Sequence, residues 1–144
     1  MIKHTDTIAL IGRILIAVLF ILSGLSKVAA PAATQAYIAS VGLPEPVLAY
    51  FGSMAVELIG SVLLIVGLRV RVVAVGMAFF TLLTAVFFHR DFADENQIIN
   101  FLKNIAIIGG LLQVAAFGAG RFALDRVFSR TEVSAGTGRL ASQT

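Results

Sequence analysis

The chain has 144 residues, enough for one domain and little more. It is 58% hydrophobic and only 13% charged, with a mean hydropathy of +0.95, so a soluble fold, in which roughly a quarter of residues are charged, is excluded and lipid is the solvent that remains. The net charge of +3 comes from basic residues that punctuate apolar runs rather than line a stripe with stacking aromatics, which excludes a nucleic-acid partner, and the lack of cysteine excludes disulfides, thiolate metal sites and iron–sulfur ligation.

In chain order, the first apolar run is Ile8 to Ser26, interrupted by Arg13. A basic start and the small residues Ala29-Ala30 also fit the outline of a cleaved signal peptide. That run is longer than a signal core, however, and Arg13 and Lys27 are foreign to one, so a retained first span is expected. Pro31, Gly42, Pro44 and Pro46 mark a loop, because proline resists helix interiors and restricts the residue before it. Within that loop Ala32 to Ser40 is expected to form a short interfacial helix with Tyr37 at headgroup level.

The second run, Val47 to Leu68, contains Glu57, and the third, Val72 to Phe88, is uncharged. Gly67-Leu68-Arg69-Val70-Arg71 between them is a tight turn that makes these two spans an antiparallel hairpin. His89 to Gln97 reads as a short acidic link, and the fourth run, Ile98 to Ala119, contains Lys103. About 20 apolar residues cross the hydrocarbon core, with about 17 to 25 acceptable, so all four runs qualify.

The expected architecture is an all-α integral membrane protein, a four-helix antiparallel bundle occupying residues 1–128, with spans of about 8–28, 47–68, 70–89 and 98–119. An amphipathic interfacial segment over 121–130 and a disordered cytoplasmic tail over 129–144 complete the reading. Orientation follows from loop lysines and arginines: Lys3, Arg69, Arg71, Arg121, Arg126, Arg130 and Arg139 share one side, against Arg90 and Lys27 on the other. Both termini are therefore expected to be cytoplasmic.

Ionisable residues inside a membrane are costly and are functional candidates by default. Glu57 lies ten residues into the second run, about 15 Å deep, near the midplane. Ser53, Glu57, Gly60, Ser61 and Leu64 share one helical face, which turns Glu57 into the bundle. Side chains lean toward the N-terminus of their helix, so Glu57, Lys27, Lys103 and His89 are expected to collect in the outer half, with Arg13 leaning the other way. Asn100, Lys103 and Asn104 lie on one face of the fourth span. His4 and His89 are too far apart to form a zinc or haem constellation.

Three readings of this polar cluster stay open: a buried network that fixes helix register, a small-molecule or quinone headgroup site in an apolar cleft, and a proton or ion path.

Several motifs are familiar in combination. Gly12-Arg13 and Phe20-Ile-Leu-Ser-Gly-Leu-Ser-Lys27 stand in the first span, and Tyr37-Ile-Ala-Ser-Val-Gly-Leu-Pro-Glu-Pro46 in the first loop. Glu57-Leu-Ile-Gly60 and Gly67-Leu-Arg69 follow in the second span, Thr84-Ala-Val-Phe-Phe-His89 closes the third, Asn100-Phe-Leu-Lys-Asn104 opens the fourth, and Gly118 to Arg126 leaves the membrane. In order and spacing, from about residue 8 to 126, these resemble the DoxX family of small bacterial inner-membrane proteins.

That resemblance implies a four-helix bundle in the bacterial inner membrane and an association with redox chemistry, since founding members are subunits of a thiosulfate:quinone oxidoreductase. It carries over at Arg13, Lys27, Glu57, His89, Asn100, Lys103 and Asn104. It does not carry over the thiosulfate activity, which needs a partner subunit and an electron acceptor.

The expected function is thus a non-catalytic subunit of a quinone-linked membrane system, with quinone as the implied non-covalent ligand, a redox protein as partner and a homodimer as one assembly. A small proton-coupled transporter and a structural scaffold are the alternatives.

Overall fold

A computed structural model describes residues 4–124, all helix and connecting loop. The expected interfacial segment beyond Leu124 and the tail over 129–144 lie outside the described residues.

Helix α1 covers His4–Ala29, α2 Pro31–Ser40, α3 Pro46–Val66, α4 Val70–Phe88 and α5 Glu95–Phe117. By length and composition α1, α3, α4 and α5 are each able to cross a membrane. The helices start earlier than the apolar runs at His4, Pro46 and Glu95, and end earlier at Val66 and Phe117. An apolar run marks what hydrocarbon covers, whereas a helix end is set by its cap. Pro46 opens α3 at a position where a missing N–H costs nothing. Asp94 caps α5 by accepting from the Asn96 N–H at 2.9 Å, so the acidic link ends three residues sooner than its composition suggests. Gly67 and Gly118, both at positive φ, terminate α3 and α5.

Sequence neighbours are spatial neighbours: α1 packs along α3, α3 pairs with α4, and α4 makes its longest contact with α5, while α5 meets α1 only lightly. The core is built from small side chains (Ala17, Ser61, Ala74, Ala78) interleaved with Phe20, Leu64, Met77 and Leu111. Small residues let helix backbones approach where no hydrophobic force pushes apolar helices together in lipid. Large apolar residues such as Ile8, Leu15 and Leu22, seven apart on one stripe of α1, face outward, as a lipid-solvated surface requires.

One end of the bundle is closed by Arg13. The guanidinium is completely buried and donates to the carbonyls of Leu64 (2.8 Å) and Ile65 (3.1 Å) at the end of α3, and to that of Phe122 (2.7 Å) beyond α5. The last carbonyls of a helix lack intrahelical partners and carry the negative end of its dipole, so a cation is the natural cap. At the same end the Arg121 N–H donates to Asp6 at 3.0 Å, tying the start of α1 to the segment after α5.

Candidate functional site

Ser23 and Lys27 stand one turn apart on α1, and so on one face. Opposite them α3 leaves the regular α-helical pattern: Ala55–Ile59 form one π-helical turn, with Glu57 at its centre. A π turn inserts a residue into the helix and often marks a functional position. The sequence holds no warning of it, because Ala-Val-Glu-Leu-Ile contains no helix breaker. Gly24 lets the two elements approach, since a Cβ there would meet Leu58 Cδ2 at 2.7 Å and Glu57 Cβ at 3.4 Å.

The resulting cluster is compact. Lys27 Nζ donates to both Glu57 oxygens, Oε1 at 2.8 Å and Oε2 at 3.0 Å, and to Ser23 Oγ at 2.9 Å. Ser23 Oγ donates in turn to Glu57 Oε1 at 3.1 Å. The Glu57 side chain is 5% exposed and that of Lys27 21%. Two charges in such a place are tolerable because each satisfies the other and the hydroxyl occupies a further site. Behind the pair, Tyr50, itself buried, donates its hydroxyl to the Lys27 carbonyl at 3.1 Å and so holds the end of α1. Ser61 donates to the Glu57 carbonyl, and Ser53 to that of Tyr50.

In front of the pair lies an open cavity of about 770 Å³ bounded by α1, α2, α3 and α4. Lys27, Glu57 and Ser23 form its polar end; Val56, Ile38, Phe80, Leu83 and Phe87 are among its apolar walls. Tyr37 on α2 stacks against Phe88 with ring centroids 5.3 Å apart, so the short interfacial helix forms one wall. His89 lines the same cavity, with Nδ1 2.9 Å from Gln97 Oε1.

Of the residues the sequence singles out, the structure brings Lys27, Glu57 and His89 to this cavity. Arg13 is 14 residues before Lys27 on α1, about 21 Å along the helix, and serves the opposite end. Lys103 is exposed on α5, Asn100 and Asn104 are half-buried there, and none of the three lines the cavity. The expectation that they join Glu57 is corrected by packing. Side-chain direction fixes depth in the membrane, not which helices are neighbours, and α5 packs on α4 while Glu57 faces α1.

Sequence reasoning missed Ser23, Tyr37 and the phenylalanine wall as parts of one site. The signal present was the i, i+4 pair Ser23–Lys27 on the face that meets Glu57. Among the described residues no three metal-ligating side chains converge.

Comparison with known proteins agrees with this architecture. The chain is 36% identical over 128 residues to inner membrane protein YqjF of Escherichia coli (strain K12), covering 89% of this chain and 97% of the relative. It is 37% identical over 122 residues to inner membrane protein YphA of the same organism, covering 81% of this chain and 87% of the relative. No solved structure matches it significantly. The DoxX family model matches residues 8–90, the stretch that supplies α1 to α4 and all of the cavity's lining. Four apolar spans and inner-membrane relatives make this a multi-pass inner-membrane protein, and the chain belongs to the DoxX family.

Proposed function

We propose that this protein is a non-catalytic membrane subunit of a quinone-linked redox system, and that the cavity headed by Lys27 and Glu57 holds a quinone-type ring. The observation that carries the reading is the join of one ion-paired polar end to aromatic and aliphatic walls in a space of about 770 Å³. Ligand sites of about 300–1,000 Å³ are mostly apolar with a few convergent polar groups. A ring with polar oxygens at its edge and a hydrocarbon tail has this same division. Ser23, Lys27, Glu57 and His89 are the residues available to orient the oxygens, and Phe80 and Phe87 are available to cover the ring.

A bound quinone supplies reversible two-electron, two-proton chemistry. What this chain contributes is a shaped, mostly apolar place with one polar end to hold the headgroup beside a redox partner. The orientation proposed, from the loop charges, has both termini in the cytoplasm and the Lys27–Glu57 end of the bundle outward.

The test is equilibrium binding of a short-chain quinone to purified protein. Gly52 lines the cavity and a Cβ there meets nothing within 4 Å, so Gly52→Phe is expected to fold and to lower affinity at least tenfold by filling the space. Lys103→Ala, outside the cavity, is expected to bind as the parent does. Saturating quinone with no binding to the parent protein rejects the proposal.

A further inference from the structure

We infer that this cavity selects hydrogen-bond donors, so that the form of a quinone-type ligand it prefers is the reduced, hydroxyl-bearing one. The inference rests on the binding reading above and concerns the chemistry of the same site.

It follows from where the protons of the lining go. An ammonium has three N–H donors. Those of Lys27 face three acceptors: Glu57 Oε1, Glu57 Oε2 and Ser23 Oγ. A hydroxyl has one proton, and that of Ser23 goes to Glu57. Ser26, Thr34, Ser53 and Thr84 also line the cavity, and each gives its proton to a backbone carbonyl, of Ser23 (2.7 Å), Ala30 (2.8 Å), Tyr50 (2.8 Å) and Phe80 (3.0 Å). His89 Nδ1 faces the Gln97 side-chain oxygen, an acceptor only. That assigns the ring proton of a neutral His89 to Nδ1 and leaves Nε2 a bare acceptor. Tyr37, half exposed, is the lining hydroxyl whose proton is not committed in this way.

Apart from that one half-exposed donor, what remains is acceptor capacity. Glu57 Oε2 has a single partner, Lys27, and a carboxylate oxygen accepts more than one bond. A ligand hydroxyl adds a bond to it without breaking any. A ligand carbonyl gains an N–H of Lys27 only by taking one already given to Ser23 or to Glu57, and in either case a bond within the cluster is lost. Glu57 is 4% exposed, so the second loss leaves a buried carboxylate partly unsatisfied. Charge-assisted O–H···O⁻ bonds are also among the strong ones in a low-dielectric site. The difference corresponds to about tenfold or more in affinity.

The test uses full-length protein in detergent under anaerobic equilibrium dialysis with three ligands of one skeleton: a decyl-substituted benzoquinone, its hydroquinone, and the hydroquinone dimethyl ether, which has nothing to donate. The hydroquinone is expected to bind about tenfold or more tightly than either other ligand. Equal affinities, or tighter binding of the quinone, overturn donor selection while leaving the cavity as a binding site. Failure of all three to bind overturns the binding reading as well.

Glu57→Gln brings N–H donors and releases Lys27, and is expected to erase the preference; its persistence in the folded variant overturns the role of Glu57. Tyr37→Phe keeps the assignment testable if that variant does not fold. Removing the uncommitted donor is expected to weaken quinone binding and leave hydroquinone binding unchanged, and the reverse outcome contradicts the inference.

Discussion

Arg13 spends a full positive charge on three neutral carbonyl oxygens, while Lys27 spends its own on a carboxylate. The two basic residues stand on one helix, α1, 14 residues apart, yet they do different work. Arg13→Met is expected to cost about 3 kcal/mol, because buried carbonyls lose charge-assisted partners, and to expose the segment after Gly118 to protease; thermal unfolding in detergent with limited proteolysis reads both. Arg13→Lys should restore only part of this, since an ammonium cannot match the planar fork that spans Leu64, Ile65 and Phe122.

At the other end Lys27→Met is expected to destabilise by about 3 kcal/mol by leaving Glu57 unpaired. The Lys27→Met/Glu57→Met double variant is expected to recover most of that loss, as a double-mutant cycle would show. The candidate site was legible at this scale where depth decided the outcome. Glu57 and Lys27 lean toward each other from antiparallel helices, and they pair. Lys103 sits at a comparable depth, but on a helix whose neighbour is α4, and depth alone does not reveal that.

Helix α3 is where local sequence and observed structure part most. Its apolar run and its proline start are plain in the sequence, but the π turn at Ala55–Ile59 is not, because none of its five residues is a helix breaker. Its end is better marked. Gly67 at φ 74 donates to the Leu63 carbonyl, and a Cβ there would meet Ala123 Cβ and Arg13 Nη1 at 2.8 Å each.

Gly67→Ala is therefore expected to cost about 2 kcal/mol, from left-handed strain together with the clash. Gly76, mid-way along the exposed face of α4 with nothing within 4 Å, gives the opposite sign: Gly76→Ala is expected to be neutral or stabilising by up to about 1 kcal/mol. Unfolding midpoints of the two variants check the contrast.

Across the whole molecule the four spans were readable because lipid imposes one rule everywhere: an apolar run long enough to cross must be helical. What composition does not carry is which helix meets which, and that is what turns scattered charges into a cap at one end and a cavity at the other. Orientation is testable without background, since the chain has no cysteine. Ala93→Cys, in the α4–α5 link, is expected to react with a membrane-impermeant maleimide added to intact cells. Ser134→Cys is expected to react only after permeabilisation, and the reverse pattern inverts the bundle.

The cavity itself is best tested by photolabelling the membrane-embedded protein with an azide-bearing quinone and mapping the modified peptides. Labels confined to residues 23–27, 33–43, 49–57 and 80–89, and lost in Gly52→Phe, are the predicted result. Labels spread over the lipid-facing residues of all four spans, unchanged in Gly52→Phe, would contradict a built site between Glu57 and the phenylalanine wall.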